Sequence, residues 1–360
     1  MNKTCKISFL TISACFGLSL CNGCTSDKKS NHTTSQTIPQ AVVKLETQPH
    51  KDFYLVGETF DVSGATLSIQ FGNQQKEIIP ITNEMVSEID MSTPGIKKPL
   101  VTYRYHNQDY TTSFSITVAD FVSVKTEEEL TSAINDAKKD IVILLKKKDT
   151  PYNMHHLEIL KSLHLRGEEN VSIQIDSDPI SSQAGIYIKA SDVTIDNLTI
   201  EMSEKSLHSL KVSHNSQDTK VDNITFKDCT FEGGKGVNFH GGNNILLKNC
   251  TINVEDTSPS VALSIASSNV TIEDCTIYHG KWGSIGLMHK IADQNAPDYN
   301  QTVSLYPGNT KVIFKGENTI SSIVYVEYSE ESKNTIENLD WEQVKEGTTL
   351  IYKNPSLNNQ

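Results

Sequence analysis

The sequence predicts an all-β protein: a small antiparallel sandwich followed by a longer β-solenoid, with one short helix capping the start of the solenoid. Three observations carry this. Thr, Ser, Asn, Ile and Val are abundant and helix-forming runs are few. Short alternating segments punctuated by Gly and Pro fill residues 41–119. Beyond them a unit of roughly 20 to 30 residues recurs, the mark of a solenoid. The formal net charge of -12 argues against a nucleic-acid partner, which would require a basic stripe.

Residues 1–23 read as a leader. Met1 to Lys6 is basic, and the apolar run from Ile7 to Leu20 is short of the ~20 residues that span a bilayer. In bacterial lipoproteins a small residue precedes a cysteine that becomes diacylated. Cys24, after Gly23 and before the polar run Thr25 to Lys29, resembles such an acceptor. Cys15 follows Ile12-Ser13-Ala14, but cleavage there would leave Phe16 to Leu20 on the mature chain; Cys21 follows the large Leu20. The resemblance implies export to the cell envelope and membrane attachment through the N-terminal lipid alone, with two or more chains giving stable anchoring. An ordinary secreted protein is the plainer alternative. Residues 24–40 are polar and are expected to be a flexible spacer.

In residues 41–119 the segment Thr112 to Val118 alternates, placing Phe114, Ile116 and Val118 on one face, as Val101, Tyr103 and Tyr105 are placed. The pattern Tyr54, Gly57, Glu58, Phe60, Asp61 and Gly64, followed by a strand from Ala65 and a Pro94-Gly95 turn, resembles bacterial Ig-like domains. That resemblance implies a spacer or adhesive module. Glu58 and Asp61 are oxygen donors that a cation could use, although acidic residues beside turns are usually just solvated.

Residues 120–328 open with the helix. Thr126 is positioned as N-cap with Glu129 closing a capping box, and Leu130, Ile134 and Ala137 form an apolar stripe. Ile141 to Leu145 follows as a buried strand. Four copies of one motif then appear, beginning at Asp192, Asn223, Asn244 and Asn269, with a degenerate fifth ending Glu317-Asn318-Thr319-Ile320. Alternation turns Val193, Ile195, Leu198 and Ile200 inward. Stacking would align Asn197, Asp228, Asn249 and Asp274 at a corner, Thr199, Thr230, Thr251 and Thr276 outside, and Leu198, Cys229, Cys250 and Cys275 inside. Parallel stacked Cβ vectors disfavour a disulfide, so the cysteines read as small apolar fillers. The pattern looks like the right-handed parallel β-helix of the pectate-lyase-like superfamily, and the helix, strand and Lys161 to Gly167 resemble its cap and first coil. This resemblance implies the fold but no single activity. In residues 329–360, Thr348 to Tyr352 is expected to add a last strand or a cap.

A second strand in each coil offers the candidate surface. Its outward stripe reads Tyr187 and Lys189, Lys211 and Ser213, Asn238 and His240, then Ser264. The stripe lacks the two carboxylates of a glycoside hydrolase and the acidic oxygens of a calcium site. No cofactor is therefore expected; calcium has no support. Metal-free elimination needs only a base and a cation, roles open to Lys189, Lys211 and His240; Lys and Asn are also ordinary on an exposed strand. Tyr187, Asn238, Tyr278 and Trp282 are candidate ligand contacts, because aromatic faces stack on sugar rings, though Trp282 would equally cover the core at a turn. His155-His156 reads as a solvated pair. The expected function is a surface-anchored binding protein whose solenoid flank recognises a polysaccharide or surface glycan; the alternative is a polysaccharide lyase.

Overall fold

The computed structural model describes residues 41–72, 74–176, 184–203, 205–213, 221–254, 261–266, 268–278, 281, 283–288, 310–320, 324–327, 335–337 and 350–353. The amino-terminal region is a sandwich of short strands around Tyr54, Leu67, Ile69, Val101, Phe114, Ile116 and Val118. One sheet joins Ala41–Thr47, Thr66–Phe71 and Glu77–Pro80; a hairpin joins Leu100–Tyr105 to Gln108–Ser113. The alternating run read as one strand is in fact divided. Gln108–Ser113 ends in the hairpin, and Ile116–Val124 belongs to another sheet. There it pairs antiparallel with Gly95–Lys97 but parallel with Phe53–Leu55, a departure from the expected all-antiparallel pairing.

The solenoid has three parallel sheets, and successive coils add one strand to each. Sheet I runs Phe53–Leu55, Ile116–Val124, Ile141–Leu145, Leu163–Gly167, Val193–Asp196, Val221–Lys227, Gly242–Lys248, Asn269–Glu273, Lys311–Lys315 and Thr335–Glu337. Sheet II begins at Tyr152–Met154 and Ser172–Ile175, and ends at Thr319–Ile320. Sheet III runs from Leu157–Ile159 through Ala184–Ile188, His208–Ser213, Val237–His240, Val261–Ala266 and Gly283–Met288 to Val324–Glu327 and Leu350–Lys353. The last of these is the strand expected near Tyr352.

Period-two alternation fills the interior. Val193, Ile195, Ile200, Ile186 and Ile188, with their counterparts in later coils, are fully buried in one continuous core. Phe226 stacks on Phe239 and meets Phe231 edge-on. The corner between sheets I and II is made by Asn197, Asp228, Asn249 and Asp274, all left-handed with φ from 51 to 54°. Asn and Asp tolerate that conformation because a short polar side chain bonds locally. Here Asn197 Nδ2 donates to the Gly167 carbonyl at 2.9 Å and Asn249 Nδ2 to Asp228 Oδ1 at 2.5 Å.

A second ladder stands at the corner between sheets III and I. Asp192, Asn223 and Asn244 are left-handed there, with Asn223 Nδ2 donating to Asp192 Oδ1 at 2.9 Å and Asn244 Nδ2 to Asn223 Oδ1 at 2.7 Å. Inside the first corner, Cys229, Cys250 and Cys275 are buried free thiols that donate to backbone carbonyls. The helix Glu127–Asn135 has its expected cap: Glu129 N donates to Thr126 Oγ1 at 3.2 Å and Lys125 N to Glu129 Oε2 at 2.6 Å. Leu130 and Ile134 seal the first coil.

Candidate functional site

Register places the expected stripe on the outer face of sheet III. Glu158, Tyr187, Lys211, Asn238, Ser264 and Gly286 are successive partners in one column. Ser213, His240 and Ala266 form the next. Inward neighbours Ile186, Leu210, Val237, Leu263 and Ile285 hold the backbone in place from below.

The two ends of the stripe differ. At the first coils the groups are reachable and locally paired. Lys189 Nζ lies 2.7 Å from Glu158 Oε1, and His156 Nε2 lies 3.6 Å from the same oxygen. The Tyr187 ring has Lys189 Nζ 4.8 Å and Lys211 Nζ 5.5 Å from its centroid, and meets the His156 ring edge-on at 5.9 Å. The Lys189 ammonium, outweighing burial, holds the Glu158 carboxyl below its usual range. At the later coils the outward groups are buried: Lys211 is 3%, Asn238 5% and His240 6% exposed.

That burial corrects the expectation of an exposed strand. Alternation shows only that a side chain leaves the solenoid interior; here Lys211 Nζ lies 5.5 Å from the Tyr187 ring centroid, and Asn238 meets His208. Asn238 Nδ2 donates to His208 Nε2 at 3.2 Å, while Asn238 Oδ1 has no hydrogen-bond partner among the described residues. Burial, and then the charges of Lys211 and Lys235, push His208 down to about 3, so its imidazole is neutral.

The candidate catalytic set is brought onto one face but not into one accessible cluster. Lys189 is tied to Glu158, while Lys211 and His240 sit diagonally on adjacent strands beneath the surface. Tyr278 is exposed at the end of the strand Thr276–Ile277, and its N–H donates to the Ile252 carbonyl at 2.9 Å. Trp282, Cys15, Cys21 and Cys24 lie outside the described residues.

His155 and His156 are both exposed, as expected, and each also has a neighbour. His155 Nδ1 lies 3.1 Å from the Asp176 carbonyl, and His156 joins the Tyr187 cluster. The pairing of Leu157 with Ile186 puts Glu158 opposite Tyr187, a neighbour relation that no repeat in the sequence marks. Glu58 and Asp61 are used locally: Glu58 accepts from Lys51 Nζ and Leu55 N, and Asp61 from Ser63 N and Oγ.

Paired carboxylates do occur, on sheet II. Glu201 and Glu232 are register partners on neighbouring strands, in a shallow groove with Gln174 and Asn253. Among the described residues no three His, Cys, Asp or Glu side chains group to hold a metal ion, and no helix is long and apolar enough to cross a membrane.

Comparison with known proteins bears on the architecture. Residues 162–340 match the family model for a right handed beta helix region, and residues 47–118 that for a bacterial Ig-like domain (group 3). No curated protein matches the chain. Similar solved structures include a pectin methylesterase in complex with a hexasaccharide, at 13% identity over 60% of this chain and 80% of that one, with a TM-score of 0.33. Pectate lyase II from Xanthomonas campestris is 14% identical over 65% of this chain and 80% of its own, with a TM-score of 0.30. The PL6 family alginate lyase AlyGC is 12% identical over 66% and 39%, with a TM-score of 0.34. The two matched regions account for the strand orders described above: the chain is a bacterial Ig-like domain of group 3 followed by a right-handed β-helix.

Proposed function

We propose that the protein is a surface-anchored binding module that recognises a glycan through the outer face of sheet III, held at the membrane by a lipid on Cys24. The observation that carries this reading is the Tyr187 cluster. A half-buried aromatic ring, fixed by Lys189, Lys211 and His156, presents a rigid platform of the kind on which a sugar ring stacks. Lys189 beside it suits a carboxylate or sulfate on that sugar. The unpaired Asn238 oxygen is a costly group that a ligand hydroxyl would satisfy once His208 moved aside.

The same geometry favours binding over elimination. A base must reach the proton it removes, within hydrogen-bond distance or through one water. Lys211 and His240 are buried, and Lys189 is held by Glu158. Lyase activity on an acidic polysaccharide remains the second reading, because Lys211 and His240 are diagonal neighbours on one face.

The test uses residues 41–360 on immobilised acidic and neutral polysaccharides. Retention on an acidic glycan, weakened about tenfold or more by Tyr187→Ala and by Lys189→Ala, is the expected result; Tyr278→Ala is the control on a different connection. Equal retention of both variants would remove sheet III from the interaction. Ultraviolet-absorbing unsaturated product released from any polymer would establish the lyase reading instead.

A further inference from the structure

The sequence reading makes the Ig-like domain a spacer in front of the solenoid. The strand Ile116–Val124 does not respect that division. Its first half pairs with Phe53–Leu55 and Gly95–Lys97, and its second half pairs in parallel, Asp120 to Ile141 through Val124 to Leu145, with the first solenoid strand. Ala119 and Asp120, on either side of the expected boundary, are adjacent residues of one strand, so no linker separates the regions.

Side chains close the same joint. Ile143 and Leu145 point into the solenoid, whereas Val142 and Leu144 point out of it and are still buried, 2% and 6% exposed. They are covered by Leu55 and Ala119, with Phe53 and Phe121 packed alongside. A strand apolar on both faces is stable only if both faces are covered, and here the second cover comes from the Ig-like side. Phe53 reaches one coil further: its ring centroid is 4.7 Å from that of His164 and 5.9 Å from the Arg166 guanidinium. Both of those side chains lean on the buried Asp196 of the next coil, at 3.4 and 3.5 Å. Asp196 stays ionised: His164, Arg166 and Lys227 outweigh the burial that pushes its carboxyl up.

We propose that the Ig-like domain is the amino-terminal cap of the β-helix, so that the two fold and unfold as one cooperative unit. The helix Glu127–Asn135 closes the interior of the first coil, and the Ig-like domain closes its outer face and edge. Solenoid ends need such covers, because an exposed strand edge with apolar neighbours is a template for aggregation.

Hydrogen exchange read by mass spectrometry on residues 41–360 tests this. Leu67→Ala opens a cavity in the Ig-like core, where Leu67 touches the sandwich cluster and not the solenoid. If the unit is cooperative, peptides containing Ile143 and Leu165 lose protection by about 30-fold or more along with the sandwich peptides, the size of effect expected for deleting a buried Leu side chain. If the sandwich peptides alone lose protection, the proposal is wrong. Ile69→Val, a milder change in the same core, replaces Leu67→Ala should that variant not fold. Phe53→Ala tests the joint itself: added to Leu67→Ala, it is expected to shrink the loss passed on to Ile143 and Leu165. An unchanged loss would show that Phe53 is not the route.

Discussion

Sheets II and III of the β-helix are built by the same rule and end in different environments. On sheet II the outward column Gln174, Glu201, Glu232, Asn253 lines an open groove, and beside it Ser172, Thr199, Thr230, Thr251, Thr276 and Thr319 stack in register. On sheet III the equivalent column passes from the half-exposed Tyr187 to Lys211 and Asn238, which are almost wholly buried. The difference separates two properties that alternation conflates. Pointing away from the solenoid interior is a matter of backbone parity. Being in water depends on what else in the chain lies over that face.

Charge reversal should expose the contrast most sharply. Lys211→Glu is expected to cost ~3 kcal/mol or more, since it places an opposite charge where a buried ammonium is accommodated. Glu201→Lys should stay within ~0.5 kcal/mol, as for an ordinary surface change. Urea unfolding of both variants measures this, and equal costs would mean that the sheet III column is solvated after all.

A smaller effect is expected from acid. The folded-state pKa of His208 is depressed to about 3, below its unfolded value near 6.5, so the unfolded chain binds a proton that the folded chain does not. Stability should therefore fall as pH drops from about 6.5, before the lowered carboxyls of Glu158 and Asp196 begin to contribute their own loss below their unfolded values. His208→Gln, which keeps a neutral hydrogen-bonding side chain, should flatten the curve between pH 6.5 and 5. An unchanged slope there would assign it to another group.

The smallest effect belongs to sheet II. Glu232→Gln removes a like charge directly beside Glu201 and should stabilise by ~0.2–0.5 kcal/mol at low ionic strength, a gain that vanishes at high salt. A salt-independent loss would indicate that the two carboxylates share a favourable role in the groove.

Much of the solenoid was legible in the sequence because its register is written in the repeat. Cys229, Cys250 and Cys275 stack inside as expected, and Asp228, Asn249 and Asp274 adopt the left-handed corner. The second ladder at Asp192, Asn223 and Asn244 was present in the same repeats, at the first residue of the first three copies, and the recurring Asp or Asn there was the missed signal. The candidate site was half legible. Tyr187, Lys189, Lys211, Asn238 and His240 do share a face, but Glu158 and His156, which pair with the first of them, come from a segment ahead of the repeat, and His208, the partner of Asn238, stands at the start of the strand that carries Lys211. No local pattern marks a contact whose partners lie 30 or 31 residues apart without recurring.

By itself, then, the sequence determined the strand alternation, the corner residues, the capped helix and the stacking order, since each rests on periods of two to about thirty residues and on the conformational tolerance of Asn, Asp and Gly. Tertiary structure alone decided that Val142 and Leu144 would be covered by Phe53 and Leu55, and that Lys211 would be buried while Glu201 stayed open. Coverage of an outer face is a meeting of distant segments, and the free energy that selects it is the burial of surfaces that no single strand carries.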